Sequence, residues 1–418
     1  MENTSQKNIQ SPRGTRDLLP DQIMGWQFLE KVFSEVAQRF GYQEIRTPIF
    51  EHTEVFSRVI GENTDVVSKE MYSFQDKGEK YSLTLRPEMT AGAVRAAVQH
   101  NLTATGQLQR LWYIGPQFRY ERPQAGRFRQ FYQCGAECYN ASSPEADAEL
   151  IMFAAMVLQE LGLSQYTLHI NTLGTAGCRE QYVQALVQYL EEKKELLSHD
   201  SQVRLTKNPL RILDSKDRGD KAVLKDAPIL SDYLSEESKQ HFTKVLSILE
   251  ANGYSFTIAQ SLVRGLDYYS HTVFEFTSSD LGSQDALGGG GRYDSMFEYF
   301  GGKHTPSVGF SLGMDRIIMI LQKIRPEIFT LPAIDCYIIA MDKTVGEVVQ
   351  TMAMKMRQNN ISVITDLQYR SLKAQMREAN KIGAKTVIVI GEEEIKAKQY
   401  KVKSMEDGSE TLSSEFIS

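Results

Sequence analysis

Between Gln107 and Gln133 the chain carries five arginines, Arg110, Arg119, Arg122, Arg127 and Arg129, against one glutamate, Glu121. Trp112, Tyr113, Phe118, Tyr120, Phe128, Phe131 and Tyr132 are interleaved with them. Planar guanidinium groups grip phosphate oxygens through paired hydrogen bonds, and aromatic faces can hold a base. The same window also suits a solvated, salt-bridged hairpin, and on its own it does not choose between the two. Two further arginine sites follow, Arg264 in Arg264-Gly-Leu-Asp-Tyr-Tyr269 and Arg316 after Asp315. Arg264 lies among apolar residues, where a buried guanidinium needs an anionic partner. Asp267 could be that partner, but three such sites near glycine or aromatic residues favour a polyanionic ligand. Glu88, Gln133 and Glu137 add acidic and amide groups. Gln133 and Glu137, four apart on a strand, share a face, while Glu88 sits beside Thr90 in a turn before a helix. On inward faces they would suit a small ligand with amine or ring-nitrogen donors. On outward faces they are ordinary surface groups.

Several chemistries are excluded. No Gly-x-x-x-x-Gly-Lys-Ser/Thr loop is present. The run Gly288-Gly-Gly-Gly-Arg-Tyr-Asp294 puts Tyr293 where a dinucleotide fingerprint needs glycine. Gly309-Phe-Ser-Leu-Gly313 matches the nucleophile elbow, but its histidine must follow the serine, and the last histidine is His304. Four cysteines in 418 residues make no disulfide framework, and Cys134 and Cys138 read as small buried thiols. The seven histidines are scattered, so no structural metal is expected. The chain is long enough for two or three domains, at roughly 100–200 residues each. Its apolar fraction of 41% and charged fraction of 24% are those of a globular protein. A net charge of −6 excludes an overall basic protein but not a local phosphate-binding patch. The longest clean apolar run, Leu150 to Leu158, is far short of the ~20 residues that span a bilayer, and the first ten residues are polar. A cytoplasmic protein without a membrane partner is expected.

Elements must position these groups. Apolar periodicity predicts a helix from Asp21 to Phe40, capped by Asp21 and closed by Gly41. Tyr42 to Phe50 reads as extended, and Pro48 assigns it to a sheet edge or a bulge. Two strands, Leu108 to Phe118 and Phe128 to Tyr139, flank a charged loop holding Pro123 and Gly126. Tyr81 to Leu85 reads as a strand, Thr90 to His100 and Ser143 to Leu161 as helices, and Tyr166 to Asn171 as a strand. The segment 174–253 is polar and helical, an insertion. Strand-like stretches return at Tyr254 to Ile258, Leu262 to Tyr268, Thr272 to Phe276 and Ser307 to Phe310, before a helix from Leu312 to Ile324. Beyond a proline-flanked linker, strands alternating with helices imply a smaller α/β domain.

The chain resembles the bacterial-type histidyl-tRNA synthetases, which are class II aminoacyl-tRNA synthetases. Arg39-Phe-Gly-Tyr-Gln-Glu-Ile-Arg-Thr-Pro48 is similar to their motif 1, Phe118-Arg-Tyr-Glu-Arg-Pro-Gln-Ala-Gly-Arg-Phe-Arg-Gln-Phe131 to motif 2, and Gly309-Phe-Ser-Leu-Gly-Met-Asp-Arg316 to motif 3. Leu262-Val-Arg-Gly-Leu-Asp-Tyr-Tyr269, Ala286-Leu-Gly-Gly-Gly-Gly-Arg-Tyr-Asp294 and Leu85-Arg-Pro-Glu88 narrow the likeness to histidine. Met89 and Tyr132 depart from the usual Gly and His, and the tail after Asp407 fits less well. The resemblance implies an α+β catalytic domain over 1–325, an antiparallel sheet flanked by helices and interrupted by the insertion. A linker at 326–332 and an α/β anticodon-binding domain at 333–418 would follow. It implies activation of L-histidine by ATP with Mg2+ to histidyl-adenylate, transfer to tRNA(His), and a homodimer. Arg119 and Arg264 would be catalytic, and Arg119, Arg127 and Arg316 would bind ATP. Glu88, Thr90, Gln133, Glu137, Tyr268 and Tyr269 would line the histidine pocket, with Gln124 and Arg129 near the tRNA acceptor end. The basic stretch Arg370 to Lys403, nine basic against four acidic residues, would meet tRNA phosphates or form a soluble face. The alternative is a paralogue of the family, the non-catalytic regulatory subunit of ATP phosphoribosyltransferase in histidine biosynthesis. The arginine set and the attached C-terminal domain argue against it.

Overall fold

A computed structural model describes residues 8–414 except Glu62, Asn63, Asp65, Asp214, Arg264, Gly265, Asp267, Ser283 and Gln284. The chain divides into two compact units, 1–329 and 330–418. In the first unit eleven strands are described. They are β1 Gln43–Glu44, β2 Phe50–His52, β3 Tyr72–Gln75, β4 Ser82–Leu85, β5 Gln109–Phe118, β6 Gln130–Tyr139, β7 Thr167–Thr172, β8 Thr257–Ile258, β9 Ser270–Thr277, β10 Ala286–Arg292 and β11 Ser307–Gly313. Eight form one sheet in the order β1-β5-β6-β11-β10-β9-β7-β8, while β2, β4 and β3 form a small separate sheet. The large sheet is antiparallel at its centre and parallel only at its edges, β1 against β5 and β8 against β7. Pro48 falls between β1 and β2, so the extended stretch is broken into two short strands, and β1 takes a sheet edge.

Side-chain alternation separates two faces of this sheet. Cys134, Ala136 and Cys138 of β6 enter a core with Trp26, Leu29 and Phe33 of the helix Pro20–Arg39, Phe153 of Pro144–Glu160 and Ile317 of Met314–Ile324. Trp26, Leu29, Phe33 and Val36 recur at helical spacing, so one face of the first helix is apolar. Its start is set by Pro20 in the first turn after Leu19. Asp21, expected as the cap, lies inside that turn. Gly41 takes φ +75° at the other end, which a residue with a Cβ adopts at a cost. Leu111, Tyr139, Val273 and Tyr293 enter a second core with Val55, Phe56, Ala91, Val94 and the inserted helix Ala176–Glu191. The insertion continues through His199–Lys207, Arg218–Leu224 and Glu236–Ala251, joined by short 3-10 turns.

Two strand expectations change. Tyr254 to Ile258 shortens to β8, and the described residues of Leu262 to Tyr268 form no strand. Leu262, Val263, Leu266 and Tyr268 pack against the second core instead, so burial rather than sheet pairing explains their apolar character. Ser307 to Phe310 extends to Gly313 because β11 pairs on both sides, with β6 and β10. Pro326–Phe329 is a 3-10 turn whose Ile328 and Phe329 pack on the first core.

The second unit holds β12 Cys336–Ala340, β13 Val363–Thr365, β14 Thr386–Ile390, β15 Tyr400–Ser404 and β16 Glu410–Ser413, in the order β13-β12-β14-β15-β16. The first three are parallel, with the helices Gly346–Gln358 and Leu372–Lys381 between them. The tail closes the sheet as an antiparallel β15–β16 hairpin. Among the described residues no helix is long and apolar enough to cross a membrane.

Candidate active site

The β5–β6 hairpin, the turn after β4, the strands β10 and β11 and the start of the helix Met314–Ile324 enclose a cavity of about 270 Å³. Glu88, Thr90, Arg119, Arg127, Gln133, Tyr268, Tyr269 and Arg316 all line it. Residues as far apart in sequence as Glu88 and Arg316 are thus brought to one space. Glu137 stands in the buried wall behind it, and Gln124 and Arg129 lie outside the lining. Gln124 is exposed on the hairpin loop. The Arg129 guanidinium stacks 3.8 Å from the Tyr120 ring centroid. Arg264 lies outside the described residues.

One end of the cavity is acidic and tyrosine-walled. Glu88 is buried, and its carboxylate accepts the backbone N–H groups of Thr90 (2.7 Å) and Ala91 (2.8 Å) at the start of the helix Thr90–Gln99. Burial raises its pKa, and those N–H bonds offset part of the rise. Glu137 accepts hydrogen bonds from the hydroxyls of Tyr113 (2.7 Å) and Tyr293. Burial pushes its carboxyl up to about 8 against that hydrogen bonding. Gly309 lies opposite Glu137 in the β6–β11 register, and a Cβ there would run into the carboxylate. Tyr268 stacks obliquely on Tyr269 at 4.5 Å and meets Tyr293 edge-on at 5.7 Å. Gln133 Oε1 is buried with no hydrogen-bond partner among the described residues. An unpaired buried acceptor is costly unless a ligand donor meets it.

The other end is cationic. Arg119 donates from Nε to the Pro87 carbonyl at 2.9 Å and lies over Phe131. Arg127 pairs with Glu121 at 2.9 Å. Arg316 donates to the carbonyls of Ala286 (2.6 Å) and Gly126 (3.3 Å). Burial first, and then the neighbouring Arg127 charge, lower the Arg316 pKa, a penalty that an anionic ligand would relieve. Asp315 accepts the Tyr132 N–H and pairs with Arg16 at 2.7 Å, fixing the helix start that carries Arg316. Of the other hairpin arginines, Arg110 pairs with Glu149 outside the cavity, and Arg122 is exposed.

Sequence reasoning missed Glu121 and Glu275 as lining residues, and Tyr113, Tyr293 and Arg16 as supports. Glu275 carries a legible signal, a lone charge between Phe274 and Phe276 on a strand, which sets it on the opposite face from both. Tyr113 and Arg16 carry none, because their partners are remote in the chain.

An antiparallel-centred sheet with arginines on a central hairpin and after the last strand is the catalytic fold of class II aminoacyl-tRNA synthetases. The family model described as histidyl-tRNA synthetase matches residues 14–317, and the anticodon binding domain model matches residues 335–416. The chain belongs to the histidyl-tRNA synthetase family. It is 47% identical over 407 residues to a histidine–tRNA ligase of Thermosynechococcus vestitus, covering 97% of this chain and 94% of the relative. A histidine–tRNA ligase of Acaryochloris marina is 46% identical over 402 residues, covering 96% and 93%. The crystal structure of apo S. aureus histidyl-tRNA synthetase superposes with a TM-score of 0.82 at 35% identity, covering 97% of each chain.

Proposed function

We propose that this chain activates L-histidine with ATP and transfers the histidyl group to the 3′ end of tRNA(His). The observation that carries the reading is the two-ended cavity. Its acidic, tyrosine-walled end holds an unsatisfied amide oxygen, and three arginines line the other end. Histidine brings an amine and a ring N–H to the first end, and ATP brings phosphates to the second. Gln133 and Glu88 receive the α-amino group. Glu137, with Thr90, Tyr268 and Tyr269, receives the imidazole. A pocket that pairs both ring nitrogens rejects analogues lacking them.

The histidine carboxylate oxygen attacks the α-phosphorus, and the bond to the β-phosphate oxygen breaks with pyrophosphate leaving. Such a transfer needs positioning and charge neutralisation rather than covalent catalysis. Arg119 holds the α-phosphate, Arg316 with Arg127 takes the distal phosphates, and Arg264 bridges carboxylate and α-phosphate by the family likeness. ATP enters as its magnesium complex. Glu121 and Glu275 offer hard carboxylate oxygens of the kind magnesium takes, and the ion would neutralise phosphate charge. The terminal ribose hydroxyl of tRNA then attacks the adenylate carbonyl and AMP leaves, with Gln124 and Arg129 meeting the acceptor end. The edge position of β1 and the exposed Ile49 and Phe50 beside it support a homodimer. The test is charging of purified tRNA(His) with labelled histidine. ATP-dependent labelling of tRNA(His) that survives acid and is released by mild alkali is expected, and no labelling would reject the reading.

A further inference from the structure

We propose that Arg86 is a positioning residue for the reaction, aiming Arg119 and Glu88 at the substrates from behind the cavity wall. The inference rests on the reading above that those two side chains hold ATP and histidine.

Arg86 is 5% exposed. Its guanidinium bonds no carboxylate among the described residues. Nε donates to the Pro116 carbonyl at 2.9 Å. Nη1 donates to the Thr47 carbonyl (2.9 Å), the Pro48 carbonyl (3.3 Å) and Thr47 Oγ1 (3.3 Å). The backbone adds two ties, Arg86 N–H to the Ile49 carbonyl (2.9 Å) and Phe118 N–H to the Arg86 carbonyl (3.0 Å). One residue thus joins the edge stretch 47–49 to the strand β5. Burial lowers its pKa, with Tyr113, Glu51 and Glu88 acting against that only through space. The guanidinium lies flush on the β5 backbone, for a Cβ at Gly115 would run into Nη2.

The two residues after Arg86 are where this anchoring reaches the chemistry. The Pro87 carbonyl accepts Arg119 Nε at 2.9 Å. Glu88 is tied to the next helix through Thr90 N–H and Ala91 N–H. Pro87 fixes its own φ, so a shift of Arg86 moves the carbonyl under Arg119 and the Glu88 carboxylate together. A fork of donors is needed to bridge carbonyls on two chain segments. A lysine ammonium is a point donor that cannot span them.

Arg86→Lys and Arg86→Ala decide the matter when compared with the wild-type chain. The readouts are histidine-dependent ATP–pyrophosphate exchange, histidine Kd by calorimetry and the thermal midpoint. A displacement of about 1 Å at Arg119 costs on the order of 10²-fold in rate. Arg86→Lys is therefore expected to fold, to lose on the order of 10²-fold in exchange kcat and to bind histidine more weakly. Combined with Arg119→Lys, it is expected to cost less than the product of the two single losses, because Arg119 is already misaimed. Should Arg86→Ala aggregate, Arg86→Lys and the double variant still decide. Wild-type exchange rates for Arg86→Lys, or losses that multiply with those of Arg119→Lys, would overturn the inference. Absence of exchange in the wild-type chain would instead reject the functional reading beneath it.

Discussion

Glu137 meets the hydroxyls of Tyr113 and Tyr293 in a fully buried wall, and burial pushes its carboxyl from an ordinary 4.5 up to about 8. Between those values the folded chain keeps a proton that the unfolded chain has lost, so stability falls as pH rises through the window. The ligand-free thermal midpoint is expected to decline more steeply with pH across it than that of Glu137→Gln. Saturating histidine should flatten the wild-type slope, since a ring N–H donor favours the ionised carboxylate. Parallel slopes in wild type and variant would contradict this. The pairing of Gln133 and Glu137 on one face was legible, because strand alternation fixes it locally. The role of Arg110 was not. Its setting resembles that of the cavity-lining arginines, and only tertiary structure puts Glu149 3.1 Å away. Tyr113 was likewise read as one of the hairpin aromatics, since nothing local says that its hydroxyl meets a carboxylate twenty-four residues on.

At the scale of elements, the hairpin carrying Arg119 and Arg127 was readable to within about two residues at each end, because alternation, Pro123 and Gly126 all agree. The strand expected at Leu262 to Tyr268 misled because its described residues Leu262, Val263, Leu266 and Tyr268 are apolar for packing on a core, a pattern that sequence alone does not separate from a strand. The inserted helices were legible as helices, yet their anchoring was not. His241 of the helix Glu236–Ala251 meets Asp147 at 2.8 Å, and Asp147 also accepts Thr272 Oγ1 at 2.6 Å and pairs with the buried Arg292. Burial alone would raise the Asp147 pKa, but Arg292 and His241 outweigh it and hold the carboxyl below its usual range. Its contribution to stability is therefore present above the usual carboxylate range and lost as pH falls through the depressed value. Asp147→Asn leaves the Arg292 charge with Asp294 (3.1 Å) as its remaining carboxylate and is expected to cost about 2–3 kcal/mol, less than the loss of a sole partner. Urea unfolding at neutral pH checks it, and a loss below about 1 kcal/mol would mean that the cluster adds little to stability.

For the whole molecule, two units with separate cores agree with a catalytic part and an RNA-binding part in one chain. Charge gave less guidance at this scale. In the basic stretch, Arg370, Lys385, Lys396 and Lys401 already pair with carboxylates of their own unit, the first and third with a residue four positions earlier and the other two with Asp335 and Glu410, outside the stretch. The three lysine pairs are exposed and weak, while Arg370 is held by the buried Asp366, so the stretch is left open to phosphates without requiring them. The motifs marked residues that line the cavity, Glu88, Thr90, Gln133, Tyr268 and Tyr269 among them, while the unsatisfied Gln133 oxygen and the Arg86 anchor exist only once the chain is folded. The central claim is that one cavity joins histidine to the ATP α-phosphate. ATP–pyrophosphate exchange by the purified chain, run with each of the twenty amino acids and without tRNA, tests it most directly. Exchange with histidine alone is expected. Measurable histidine binding without exchange would contradict the claim and favour the non-catalytic paralogue.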